Sequence, residues 1–326
     1  MAAIDVSGNL PAIDNPTVRP YEDFNVEADA EALRAAMKGT GTEEALIIEI
    51  VSHRSNEQRQ EIEKMYKTMF GKDLIKDLCS ELSGNLEETI MALFKSPAYY
   101  DTWSLHKAMK GIGTDDDVLI EILATRENDE IAAINECYKE IYGKTLEEKI
   151  SSETSGKYKR LLVALCQGNR NEVSDENYEI ASRQDAEKLY KAGEKKLGTD
   201  ESMFIQILGL RNYYQISAIV EEYQEIAGKE LRESIKSEMS GNLAKGLTAI
   251  VDSSHPPTYF AKKLKKAMSG IGTDDSTLIR IIVSRSEIDL ADIKQIFDED
   301  YGKSLQDAIS SDTSGKYKKL LLALCG

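Results

Sequence analysis

Apolar residues recur along this chain at helical spacing, and one order of elements is repeated four times. In the first stretch Ala28, Ala32, Leu33, Ala36 and Met37 share a helix face, and a glycine loop at Gly39–Gly41 ends that helix. Thr42 reads as the N-cap of a second helix, with Glu43 and Glu44 at the favourable end of its dipole. Leu46, Ile47, Ile50 and Val51 continue the core face. Ser55 starts a third helix, in which Ile62, Met65, Tyr66 and Met69 point inward until Gly71. A short helix around Leu74, Ile75 and Leu78 follows, and Gly84 leads into a last one carrying Leu86, Ile90 and Leu93. The pattern predicts an all-α chain with five helices per repeat; no stretch has the alternation of a strand.

The repeats are expected at 21–95, 96–166, 180–252 and 253–326. Residues 1–20 contain Pro11, Pro16 and Pro20 without a helical period and read as an extended, loosely held tail. Residues 167–179 are polar and read as a linker between halves. Units of about 70 residues are marginal alone but can share one continuous core.

One constellation organises the chain. Gly41-Thr42 is followed by Glu81, Gly113-Thr114 by Glu153, Gly198-Thr199 by Glu238, and Gly272-Thr273 by Asp312, with 40 residues from glycine to acid every time. Between repeats, the threonines are 72, 85 and 74 residues apart. A loop-to-acid distance that stays constant while the linkers vary means that the two segments meet within each repeat. Paired glycines let the backbone turn its carbonyls inward, and a hard cation such as calcium is bound by such carbonyls together with a carboxylate. Arg54, Arg126, Arg211 and Arg285 each follow the loop glycine by 13 residues. They are expected at helix ends, bonding to carbonyls of their own repeat.

Lys-Gly-x-Gly-Thr at Lys38 and Lys110, Ser-Gly-x-Gly-Thr at Ser269 and a longer, irregular loop from Gly193 to Thr199, each followed by Ser-Glu-x-Ser-Gly or Ser-Asp-Thr-Ser-Gly, resemble the annexin family from about residue 20 to the end. The resemblance implies four repeats arranged as a slightly curved disc, and calcium held at each loop. Its ligand sets, carried over to this numbering, are Met37, Gly39 and Gly41 with Glu81; Met109, Gly111 and Gly113 with Glu153; Gly193, Lys196 and Gly198 with Glu238; and Met268, Gly270 and Gly272 with Asp312. Thr42 with Glu44, Thr114 with Asp116, Thr199 with Glu201, and Thr273 with Asp275 are candidates for secondary sites, although first-turn acids have an ordinary role at a helix start. Leu197, at the tip of a longer third loop, is the candidate membrane contact, at the place where annexins often carry tryptophan. The family's polar axis matches Asp101, Glu121, Arg126, Arg280 and Asp289.

A formal charge of −16 argues against nucleic acid as a partner and against unaided attraction to an anionic bilayer. Four divalent ions would halve that charge and act locally, between carboxylate and phosphate. Cys79, Cys137, Cys166 and Cys325 form no Cys-x-x-Cys pair, which fits buried, reduced thiols. No apolar run is long enough to span a bilayer, and no signal peptide or myristoylation pattern opens the chain. The acidic stretch from Asp298 fails as an EF-hand, because Lys303 and Ile309 stand where glycine and glutamate are needed. No P-loop or nucleophile elbow is present, and His53, His106 and His255 lie apart. The expected protein is therefore non-enzymatic. It is cytoplasmic and joins anionic, phosphatidylserine-containing phospholipid membranes peripherally and reversibly when calcium rises. A protein partner for the tail and self-association on membranes are further expectations. The rival reading is a helical-repeat scaffold for proteins, in which the glycine loops are only corners.

Overall fold

The structure, a computed structural model, describes residues 15–39, 41–172, 178–195 and 198–326, with backbone only at 178 and 179. Among these residues the chain forms twenty α-helices and no strand. Repeat 1 comprises α1 (Val26–Ala36), α2 (Glu44–Ser52), α3 (Asn56–Phe70), α4 (Leu74–Glu81) and α5 (Gly84–Leu93). Repeat 2 comprises α6 (Pro97–Ala108), α7 (Asp116–Thr125), α8 (Asn128–Tyr142), α9 (Leu146–Glu153) and α10 (Gly156–Cys166). Repeat 3 runs through α11 (Tyr178–Ala192), α12 (Glu201–Leu210), α13 (Tyr213–Ala227), α14 (Leu231–Glu238) and α15 (Gly241–Asp252). Repeat 4 runs through α16 (Pro256–Ala267), α17 (Asp275–Arg285), α18 (Leu290–Tyr301), α19 (Leu305–Asp312) and α20 (Gly315–Cys325).

Local chemistry explains most boundaries. Ser55 closes a capping box with Gln58 at the start of α3, and Gly71 ends that helix in the left-handed conformation. At the start of α2 the chain departs from expectation. Glu43, not Thr42, occupies the N-cap, and Thr42 turns its hydroxyl elsewhere. The buried face of α1 also differs: Ala30 and Asp29 are buried and Ala28 is exposed. Asp29 is inside because Arg54 reaches it with two hydrogen bonds of 2.6 and 2.9 Å.

That pairing recurs and corrects the arginine reading, since the principal partners are carboxylates rather than carbonyls. Arg126 holds Asp101 at 2.6 and 2.9 Å, and Arg211 holds Asp185 at 2.6 Å. Repeat 4 changes the geometry. Phe260 stands where the other repeats carry the aspartate, and Arg285 stacks over its ring while pairing with Asp289 at 2.7 Å. Buried charges need such partners because an unpaired one is strongly unfavourable.

The helices gather into two compact units, one of Met1–Pro97 with Phe260–Gly326 and one of Ala98–Tyr259. In the first, α2 packs on α20, and α5 packs on α17 and α20. Glu287 joins repeat 4 to repeat 1 there, accepting from Arg59 Nη2 at 2.7 Å and from the Asn56 N–H at 2.9 Å. In the second, α10 packs on α12 and α7 on α15. Of the tail, residues 1–14 lie outside the described residues, and the described end at 15–20 is better held than its sequence suggests. Thr17 Oγ1 donates to the Leu324 carbonyl at 2.6 Å, and the Thr17 and Val18 N–H groups donate to the Ser286 carbonyl at 2.9 Å. Cys166 and Cys325 are buried as expected, Cys137 is half-buried and Cys79 is exposed. No described helix is long and apolar enough to cross a membrane.

Candidate metal centre

The first helix of every repeat ends on an alanine: Ala36, Ala108, Ala192 and Ala267. Its carbonyl accepts from the N–H of the residue after the loop threonine. These bonds are Glu43 to Ala36, Asp115 to Ala108 and Asp200 to Ala192 at 2.9 Å, and Asp274 to Ala267 at 2.8 Å. Each loop is thus clasped at its base. Within the second loop Gly111 and Gly113 have φ of 100° and 88°, a region that L side chains rarely enter. The first and fourth loops repeat this geometry. In the third loop Gly193 occupies the position of Met37, where a Cβ would lie a tight 3.3 Å from the Phe204 ring and in ordinary contact, at 3.7 Å, with Glu238 Cγ.

The four acids share one position. Glu81, Glu153, Glu238 and Asp312 are the last residues of α4, α9, α14 and α19. A carboxylate at a helix C-terminus opposes the helix dipole, so this placement weakens the fold unless positive charge arrives. In three repeats the loop reaches the acid directly. The hydroxyls of Thr42, Thr199 and Thr273 donate to Glu81, Glu238 and Asp312 at 2.6, 2.6 and 2.7 Å. These bonds explain why Thr42 is no N-cap. In repeat 2, Glu153 instead accepts from Lys149 at 2.6 Å, and this contact holds its carboxyl below the usual range.

No described hydrogen bond ends on the carbonyls of Met37, Gly39, Gly41, Met109, Gly111, Gly113, Gly193, Gly198, Met268, Gly270 or Gly272. Lys196 and Leu197 lie outside the described residues. Glu44, Asp116, Glu201 and Asp275 are each the first residue of a helix, as the dipole reading has it. Three of them have side-chain neighbours. Glu44 meets Lys316 at 3.8 Å, and Asp116 accepts from Asn242. Burial and the nearby Asp275 push the Tyr317 hydroxyl well above its ordinary pKa. Among the described residues no three His, Cys, Asp or Glu side chains cluster as a metal site. One carboxylate with backbone carbonyls, the donor set of a hard cation, is what each loop offers, and these residues fit calcium.

Two residues escaped the sequence reading. Ile112 and Ile271, each between the glycines of its loop, have relative exposures of 109% and 110%. The signal was present in the sequence, since an apolar residue flanked by two positive-φ glycines has no helix face to join. Trp103, by contrast, stays on α6 and stacks against Tyr100 with ring centroids 6.1 Å apart.

Comparison with known proteins adds independent findings. The annexin family model matches residues 28–93, 100–165, 184–250 and 259–324. Human annexin A7 is 53% identical over 311 residues, which are 95% of this chain and 64% of that protein, so the chain spans just under two thirds of this relative. Bos taurus annexin A4 is 50% identical over 313 residues, covering 95% of this chain and 97% of its own. The solved structure of annexin III superposes with a TM-score of 0.93 at 46% identity, covering 96% of this chain and 97% of its own.

Proposed function

The chain belongs to the annexin family, and from that premise we propose that it binds anionic phospholipid membranes reversibly when calcium rises, through the four loop-acid pairs. Family membership supports calcium-dependent phospholipid binding in general, by proteins that are generally not enzymes. The observation that carries the finer reading is the direct loop-to-acid bond of 2.6–2.7 Å in repeats 1, 3 and 4. It brings a carboxylate, placed against its helix dipole, to carbonyls that accept no described hydrogen bond.

Calcium would supply a hard, doubly charged centre able to take a lipid phosphate oxygen beside the protein oxygens, so that lipid and ion raise each other's affinity equally. The carbonyls of Met37, Gly39 and Gly41 with Glu81, and their counterparts in the other repeats, hold that centre. One carboxylate per loop leaves the charge half compensated, which reserves the remainder for lipid. The clasped loop bases keep the carbonyls in place before binding, and this preorganisation reduces the ordering cost. Ile112 and Ile271, exposed at their tips, enter the interface, and Leu197 has the same role in the third loop.

Co-sedimentation with phosphatidylserine vesicles tests the reading. The protein should pellet with calcium and stay in solution with chelator. The quadruple variant Glu81→Gln, Glu153→Gln, Glu238→Gln, Asp312→Asn should need far more calcium. Equal pelleting with and without calcium refutes the bridge. Failure to pellet in either condition favours a protein scaffold.

A further inference from the structure

Repeat 2 departs from its three counterparts at the acid itself. Glu153 Oε1 accepts from Lys149 Nζ at 2.6 Å and more distantly from Ser152 Oγ at 3.4 Å. Lys149 lies one helical turn upstream on α9. The residues at that place in repeats 1, 3 and 4 are Asp77, Ser234 and Ala308, none of them a cation. Asp77 is engaged by Tyr66 at 2.7 Å and Arg34 at 3.2 Å, and Ser234 donates to Glu194 at 2.9 Å, so neither serves the terminal acid. The two side chains of the Lys149–Glu153 pair are each 25% exposed, which leaves the contact partly shielded from solvent.

An ammonium is a compact positive charge with three donors. Seated on Oε1, it meets the same electrostatic need at the helix C-terminus that a metal ion would. It also withholds one of the two oxygens that a bidentate carboxylate offers to calcium. A second cation must therefore displace Lys149 or share the carboxylate with it against repulsion. The long lysine stem allows the displacement, so the site is detuned rather than abolished.

We infer that Lys149 is a built-in counter-ion that sets a higher calcium requirement for the repeat 2 loop than for the other three loops. The inference rests on the reading of Glu153 as a ligand. Its consequence is graded attachment: repeats 1, 3 and 4 engage at lower calcium, and repeat 2 joins only when calcium climbs further.

The test uses the full chain carrying Glu81→Gln, Glu238→Gln and Asp312→Asn, which leaves repeat 2 as the remaining loop-acid pair. Calorimetric titration with calcium chloride alone gives its midpoint. Adding Lys149→Gln should lower that midpoint about fivefold, the scale of a partly exposed ion pair, while Lys149→Arg should leave it within twofold. Lys149→Asp, which copies the residue of repeat 1, should act as the glutamine variant does and carries the comparison if that variant misfolds. A Lys149→Gln midpoint unchanged while Glu153→Gln abolishes binding overturns the counter-ion and leaves the ligand reading standing. Binding that survives Glu153→Gln overturns the ligand reading, and the counter-ion with it.

Discussion

Replacing Ile112 and Ile271 by serine, singly and together, separates membrane attachment from folding. Both side chains are as accessible in the folded protein as in an extended peptide, at 109% and 110% relative exposure. They therefore contribute no burial to stability, and their removal should shift the melting temperature without calcium by no more than about 1 °C. On a membrane the balance changes. Full burial of an isoleucine side chain is worth roughly 1.5–3 kcal/mol, or about 10- to 150-fold in affinity. Residues that reach only the headgroup boundary gain a fraction of that, so the double variant should lose at least about tenfold in vesicle affinity. The assay is co-sedimentation with phosphatidylserine vesicles across a calcium series, with thermal melts of the same samples. Each single variant should need more calcium for half-maximal binding, and the pair more still. A double variant that binds vesicles with wild-type affinity at wild-type calcium would refute insertion and leave contact with headgroup phosphates as the whole attachment.

Other outcomes follow from the buried charges and thiols. Asp101→Asn leaves Arg126 buried without its carboxylate, and denaturant unfolding should show a loss of about 3–5 kcal/mol. Burial pushes the Cys166 and Cys325 thiols up from 9.0 to about 12. Their protonated forms thus stabilise the fold fully below pH 9, and this contribution is lost as pH rises from there toward 12, because the unfolded chain ionises first. Melting temperature should fall over that window, and less steeply in Cys166→Ala, Cys325→Ala; an identical slope in that variant counts against the assignment.

The five-helix period was legible because apolar spacing, glycine stops and polar caps agreed at most boundaries, as Ser55 and Gly71 show for α3. The meeting of loop and acid was legible for repeats 1, 3 and 4, where the 40-residue interval ties two segments that a threonine–carboxylate hydrogen bond joins. What local pattern could not show was side-chain partnership across the repeat. Thr42 looks like an N-cap when only its neighbours are read, yet Glu81, 39 residues on, takes its hydroxyl. Asp29 reads as a surface acid until Arg54, 25 residues away, draws it inside. Lys149 draws no notice in the sequence, yet it holds Glu153 one turn on, at 2.6 Å. Such partners are set by tertiary packing, which overrides the local preference of each residue.

The first compact unit is assembled from the two ends of the chain, whereas the second is one continuous segment. That difference orders events during synthesis. Arg59 leaves the ribosome 228 residues ahead of its partner Glu287, a delay on the order of 10–50 s at ordinary elongation rates. Over that interval repeat 1 has no repeat 4 to cover α2 and α5, while Ala98–Tyr259 can already close upon itself. A nascent chain stalled before α17 therefore presents an apolar face to chaperones and proteases, and the vulnerable repeat is one made well before its cover.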